Sequence, residues 1–95
     1  MTSQKYSEIF YKISLKISSR IFEAETYIIK NTIWAYYYAA YVIKGRWPKA
    51  ETYIMKDTDC TYWYVRRVIN GRWPEAEKYI KKNDFWWKQY QDLIK

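Results

Sequence analysis

Gly45-Arg46-Trp47-Pro48-Lys49-Ala50-Glu51 recurs as Gly71-Arg72-Trp73-Pro74-Glu75-Ala76-Glu77, 26 residues further along the chain. The same interval taken backwards reaches Ser19-Arg20-Ile21-Phe22-Glu23-Ala24-Glu25, a worn copy without the Gly, Trp and Pro. A fixed period of this length marks a tandem-repeat architecture. The units are 19–44, 45–70 and 71–95, within one domain spanning 1–95. The first two agree at 12 of 26 positions and the last two at 10 of 25, which chance does not produce. Arg20/46/72, Ala24/50/76, Glu25/51/77, Tyr27/53/79, Ile28/54/80, Lys30/56/82 and Tyr38/64/90 are the same in all three.

Each unit reads as two short helices. Pro48 and Pro74 suit the first helical position, where the missing N–H costs nothing and φ is already helical. Glu51, Glu75 and Glu77 put negative charge near the positive end of that helix. Ala50, Tyr53 and Ile54 then form an apolar face at helical spacing. Asn31-Thr32, Asp57-Thr58 and Asn83-Asp84 interrupt it with good N-cap residues. The second helix carries Trp34, Tyr38 and Val42 in one unit and Cys60, Tyr64 and Val68 in the next. It should end at Lys44-Gly45 and Asn70-Gly71, with Gly in the left-handed position.

Residues 1–18 are expected to form an N-terminal helix with Tyr6, Ile9, Phe10, Ile13 and Ile17 as its apolar face. Its end, Leu15 to Arg20, aligns with Tyr41 to Arg46, as half of a degenerate fourth unit. The last copy has Lys88, Gln89, Gln91 and Asp92 where the first has Tyr36, Tyr37, Ala39 and Ala40, the polar outer face of a capping unit. The array is therefore expected to stop at Lys95. The expected fold is all-α: short αα-hairpin tandem repeats stacked as a small solenoid, with an N-terminal helix. Only 2 Gly and 2 Pro leave little turn chemistry for a many-stranded alternative.

Composition narrows the function. There is no His, which removes the commonest general base and metal ligand. Cys60 has no evident activating partner and occupies the position of Trp34 and Trp86, so a packing role is expected. The two glycines are both accounted for by helix ends and form no phosphate-cradling loop. No enzyme, metal site or cofactor is expected. A lone cysteine points to a reducing compartment, and neither a signal peptide nor a membrane span is evident.

The formal net charge of +7 favours an acidic partner. It is spread as +2 over 1–18, +1 over 19–44, +2 over 45–70 and +2 over 71–95, so it is not a tail. Stacked repeats would align Arg20, Arg46 and Arg72 in one row and Lys30, Lys56 and Lys82 in another. Lys5, Lys12 and Lys16 would extend a stripe on the first helix. Such rows suit the regular phosphates of a polyanion. They also admit a structural reading. Each Arg precedes a repeated Glu by five residues and could brace the connector, and each Lys lies where a helix dipole favours a cation.

Departures from the repeat discriminate better. Arg66 and Arg67 stand where other copies have Ala40-Tyr41 and Asp92-Leu93, and Lys78 and Lys81 replace Thr26/Thr52 and Ile29/Met55. All four add positive charge. With 12 Tyr, 6 Trp and 3 Phe, the rings exceed what so small a core can enclose. One or two rings in each of Tyr36-Tyr37-Tyr38 and Tyr62-Trp63-Tyr64 must point away from it. Exposed rings beside Arg and Lys can stack unpaired bases. The same residue types also make protein–protein hot spots.

The string Tyr-x-x-x-Val-Ile-x-Gly-Arg-Trp-Pro-x-Ala-Glu, present as Tyr64 to Glu77 and again as Tyr38 to Glu51, resembles short tandem helical repeats in proteins of large tailed phages and some giant viruses. The resemblance covers about residues 19–84 and departs at Ile21-Phe22. It implies a viral origin, the cytoplasm of a bacterial host, and action against host defences such as binding the RNA of a toxin–antitoxin system. It assigns no residue a role. The expectation is an RNA-binding or single-strand-binding protein using Arg20, Arg46, Lys56, Arg66, Arg67, Arg72, Lys78, Lys81 and Lys82. The alternative is a module that binds a host protein or ribonucleoprotein, or a second copy of itself. No membrane partner is expected.

Overall fold

A computed structural model describes residues 3–95, with side chains from Tyr6 onward; the expected contribution of Lys5 to a basic stripe lies outside the described side chains. Seven α-helices follow one another: α1 (Ser3–Ile17), α2 (Phe22–Ile28), α3 (Thr32–Tyr38), α4 (Pro48–Ile54), α5 (Thr58–Tyr64), α6 (Pro74–Ile80) and α7 (Asp84–Leu93). No strand occurs among the described residues. A radius of gyration of 13.4 Å is close to the ~12 Å of a compact chain of this length.

The local signals act as expected where helices begin. Pro48 and Pro74 open α4 and α6. Asn31, Asp57 and Asn83 accept the backbone N–H of Trp34, Cys60 and Trp86 at 3.2, 3.2 and 3.0 Å, capping α3, α5 and α7. The Thr32 hydroxyl, at the start of α3, donates to the Asp57 carboxylate at 3.0 Å and so ties two helix starts together.

Helix ends differ from expectation. Beyond α3 and α5 the chain widens into a π-type turn over Ala39–Ile43 and Val65–Ile69. Lys44 N–H reaches back five residues to the Ala39 carbonyl at 2.8 Å, and Asn70 N–H to that of Val65 at 2.7 Å. The wide turn completes the reversal one residue early, so Lys44 (φ 60°) and Asn70 (φ 57°) are left-handed, not Gly45 and Gly71. A Cβ at either glycine would meet nothing within 4 Å, which agrees with Ser19 in the equivalent place after left-handed Ser18 (φ 53°).

The core is one cluster rich in small and aromatic residues. Ala24, Ala50 and Ala76, Ile28, Ile54 and Ile80, and Tyr38, Tyr64 and Tyr90 are all buried. The small alanines let neighbouring helices approach, and the rings fill the space between them. Trp47 and Trp73, immediately before the two prolines, are buried too. Their rings lie 5.0 Å from Tyr38 and 5.1 Å from Tyr64, within the range of favourable aromatic pairs. Truncating Trp73 would cost on the order of 3–5 kcal/mol.

The first helix is rotated from the expected face. Ser7, Tyr11 and Ser14 are its buried residues, while Tyr6, Ile9, Ile13 and Ile17 are exposed and Phe10 is half-buried. Two contacts set this rotation. Ser7 Oγ donates to the Tyr27 carbonyl at 2.6 Å, a close approach that only a small residue permits. Tyr11 meets the rings of Trp34 and Tyr37 at 5.3 and 5.8 Å.

Candidate nucleic-acid interface

The arginines of the connectors are held by carboxylates. Arg20, Arg46 and Arg72 each present Nε and Nη2 to Glu25, Glu51 and Glu77, at 2.8–2.9, 2.8 and 3.0–3.1 Å. This bidentate geometry is the strong form of the pair. Each carboxylate also accepts a hydroxyl proton from Tyr38, Tyr64 or Tyr90, at 2.7, 2.8 and 2.6 Å. Each hydroxyl in turn accepts the backbone N–H of Ile21, Trp47 or Trp73, at 3.1, 2.7 and 2.9 Å. The bracing function of the repeated Arg–Glu spacing is therefore what the contacts display.

Charge and protonation follow from this relay. Burial alone would raise the Glu51 carboxyl, but hydrogen bonds from Arg46 and Tyr64 outweigh it and hold it below the ordinary value. The Tyr90 hydroxyl and the Arg72 guanidinium do the same for Glu77. Burial, then the Glu25 carboxylate, pushes the Tyr38 phenol up to about 12. At neutral pH the Arg46–Glu51–Tyr64 and Arg72–Glu77–Tyr90 relays are thus held as guanidinium, carboxylate and neutral phenol.

The remaining expected residues stand differently. Among the described residues, Lys56, Arg66, Arg67, Lys78, Lys81 and Lys82 are exposed and make no ion pair. Arg66 and Arg67 lie over the Trp63 ring at 5.5 and 5.7 Å. Lys78 and Lys82 lie against Tyr79 at 5.2 and 5.8 Å, and Lys81 against Trp87 at 5.2 Å. Cations held on ring faces are ordered without being neutralised. The structure gathers these residues into two cation–aromatic groups, one around Trp63 and one around Tyr79 and Trp87. Lys56 joins neither.

The group around Trp63 borders a pocket of about 240 Å³ lined by Tyr36, Tyr37, Tyr41, Trp63 and Arg67. Two rings come from α3, one from the wide turn after it, one from α5, and the cation from the wide turn after α5. Its lining contains no carboxylate. Burial, with Tyr41 nearby, pushes the Tyr36 phenol up to about 12, so it keeps its proton at neutral pH. The volume is below the ~300–1,000 Å³ of a drug-sized ligand site and suits a single planar ring. A second pocket of about 210 Å³ between α2 and α4 is lined by Phe22, Glu25, Thr26, Ile29, Trp47 and Lys49. The Glu25 carboxylate makes it the poorer choice for an anionic ligand.

Sequence reasoning identified Arg66 and Arg67 and required a surface ring in each tyrosine-rich trio. It did not identify Tyr36, Tyr37, Tyr41 and Trp63 as one pocket. In both trios the outer residues are buried and the middle one, Tyr37 or Trp63, is half-exposed. The signal was the run of neighbouring aromatics followed by an unmatched Arg pair, but only the packing of α3 beside α5 joins them. No helix among the described residues is long and apolar enough to cross a membrane. Compared with models of known protein families, with curated proteins and with solved structures, the chain gives no match.

Proposed function

We propose that this chain is a single-stranded nucleic-acid-binding protein, with RNA as its ligand, built as a small solenoid of 26-residue helical pairs. The observation that carries the reading is the contrast between two sets of arginines. Arg20, Arg46 and Arg72 are spent on carboxylates, whereas Arg66 and Arg67 remain unpaired beside Trp63 at an aromatic pocket. Cations for phosphates next to rings for bases are the two elements of single-strand binding. Lys78, Lys81 and Lys82 add a second cationic stretch with its own rings. The likeness of the connector to phage repeats supports a role inside an infected bacterium, against a defence system that contains RNA.

A fluorescence-polarisation titration of labelled single-stranded RNA tests this. Affinity should fall steeply with salt. Each phosphate contact on a single strand contributes about 0.7 to the log–log slope, so Arg66→Ala should reduce it by about 0.7. Arg46→Ala should leave it nearly unchanged. The 260/280 nm absorbance ratio of the purified protein gives a first indication. Absence of salt-sensitive RNA binding sinks the proposal.

A second reading, a protein-binding module or self-associating chain, is favoured by one observation. Ile9, Ile13 and Ile17 expose a continuous apolar face on α1. A mass that rises with concentration, and that Ile13→Lys abolishes, would support self-association.

A further inference from the structure

We infer that the pocket between α3 and α5 receives a guanine base from an unpaired strand, with Arg67 reading its O6 and N7 while the base lies against the aromatic lining. This rests on the nucleic-acid reading above and specifies which base that site prefers.

Shape comes first. Tyr37 and Trp63 both line the pocket, yet they make no ring contact with each other. Each is instead packed by other rings, Tyr37 by Tyr36 at 5.1 Å, Trp34 at 5.5 Å, Tyr11 at 5.8 Å and a stacked Tyr41 at 6.1 Å, Trp63 edge-on by Tyr62 at 5.2 Å. The pocket of about 240 Å³ that they border has room for one planar base. The larger face of a purine covers more of this aromatic lining than a pyrimidine does.

Hydrogen-bonding chemistry then selects among purines. Arg67 supplies a rigid fork of donors and no acceptor. Guanine offers two adjacent acceptors, O6 and N7, which match the fork; adenine sets an amino donor beside N7 and opposes it. The lining offers that amino group no carboxylate, only tyrosine hydroxyls, which are weaker acceptors. The fork makes no ion pair among the described residues; it rests over the Trp63 ring at 5.7 Å and would turn from there to the base edge.

The arrangement is not repeated at α7. At the positions of Trp63 and Arg67, the α7 region carries Gln89 and Leu93. One ring wall and the cation are therefore missing there, and one base should be read per molecule.

The test uses the intact protein and oligouridylates of equal length, with or without one central guanosine. A bidentate contact discriminates by about 1–3 kcal/mol, so the guanosine should tighten binding on the order of ten-fold, with one strand bound per protein. Adenosine or 7-deazaguanosine in its place should give much less. Arg67→Lys keeps the charge but loses the planar fork, so it should weaken the preference while preserving most affinity and the salt slope. Salt-sensitive binding indifferent to guanosine, or a preference undiminished by 7-deazaguanosine or by Arg67→Lys, overturns the guanine assignment and leaves RNA binding standing. Failure to bind any of the oligonucleotides overturns both. If GMP alone binds as tightly as the guanosine-containing strand, the ligand is a free nucleotide and the strand-borne assignment is wrong.

Discussion

The Tyr64 hydroxyl donates to the Glu51 carboxylate at 2.8 Å across 13 residues of chain, inside the protein. Glu51 is one of the few charged side chains this fold encloses, and the contact explains how it is tolerated. Its side chain is 11% exposed, whereas that of its other partner, Arg46, is 48% exposed. That difference decides which member of the pair matters for stability.

Glu51→Ala should cost about 2–3 kcal/mol, because it strands the Tyr64 hydroxyl and one end of Arg46. Arg46→Ala should cost less, about 1–2 kcal/mol, because solvent screens the exposed guanidinium while the buried Glu51 carboxylate keeps the Tyr64 hydroxyl. Urea denaturation of both variants and the double variant checks this. Equal losses would contradict the account.

The left-handed residue at the end of each wide turn offers a stabilising change. Lys44→Gly should raise stability by roughly 0.5–1 kcal/mol, because Lys is strained at positive φ and Gly is not. Asn70→Gly should gain less, since Asn tolerates that conformation. Gly45→Ala should be close to neutral. Were Gly45 the reversal point, that last change would be clearly destabilising in the same melts.

Stability should be greatest between about pH 5 and 9. Glu51 and Glu77 are held below their ordinary value in the folded state, so their contribution is present above about pH 4.5 and disappears as pH falls through the folded pKa. Tyr36 and Tyr38 are raised to about 12, so theirs is present below pH 10 and disappears as pH rises towards 12. Thermal melts across pH should show losses on both flanks. A flat acid limb would exclude the carboxylate contribution.

Cys60 is buried, and burial followed by the nearby Asp57 charge pushes its thiol up to about 12. A neutral, enclosed thiol is a poor nucleophile. Alkylating reagents at pH 7.5 should label it only after denaturant is added. Rapid labelling of the folded protein would show that the site opens.

Much of the helical framework was legible because its determinants are local. Pro48 and Pro74, the caps at Asn31, Asp57 and Asn83, and the Arg–Glu spacing act within one turn or connector. What escaped depends on helices meeting. The Tyr64 hydroxyl reaches Trp47 N–H across 17 residues, which no spacing rule anticipates. The face of α1 escaped for another reason. Its isoleucines satisfy helical periodicity, but Tyr11 meets an aromatic wall and Ser7 a carbonyl, and those contacts override the larger apolar stripe. For the candidate site, the free Arg66 and Arg67 were visible as charges added without a partner. The surrounding rings were not distinguishable from core rings of the same type.

An interior so rich in tyrosine and tryptophan is permissive: a helix that slid by one position could bury comparable rings at little cost. The hydroxyls of Tyr38, Tyr64 and Tyr90 remove that freedom. Each is held between an N–H that can only donate and a carboxylate that can only accept, so a slip would abandon three polar groups together. The hydroxyls thereby set register, selecting one alignment of the chain from several that greasy contact alone would allow.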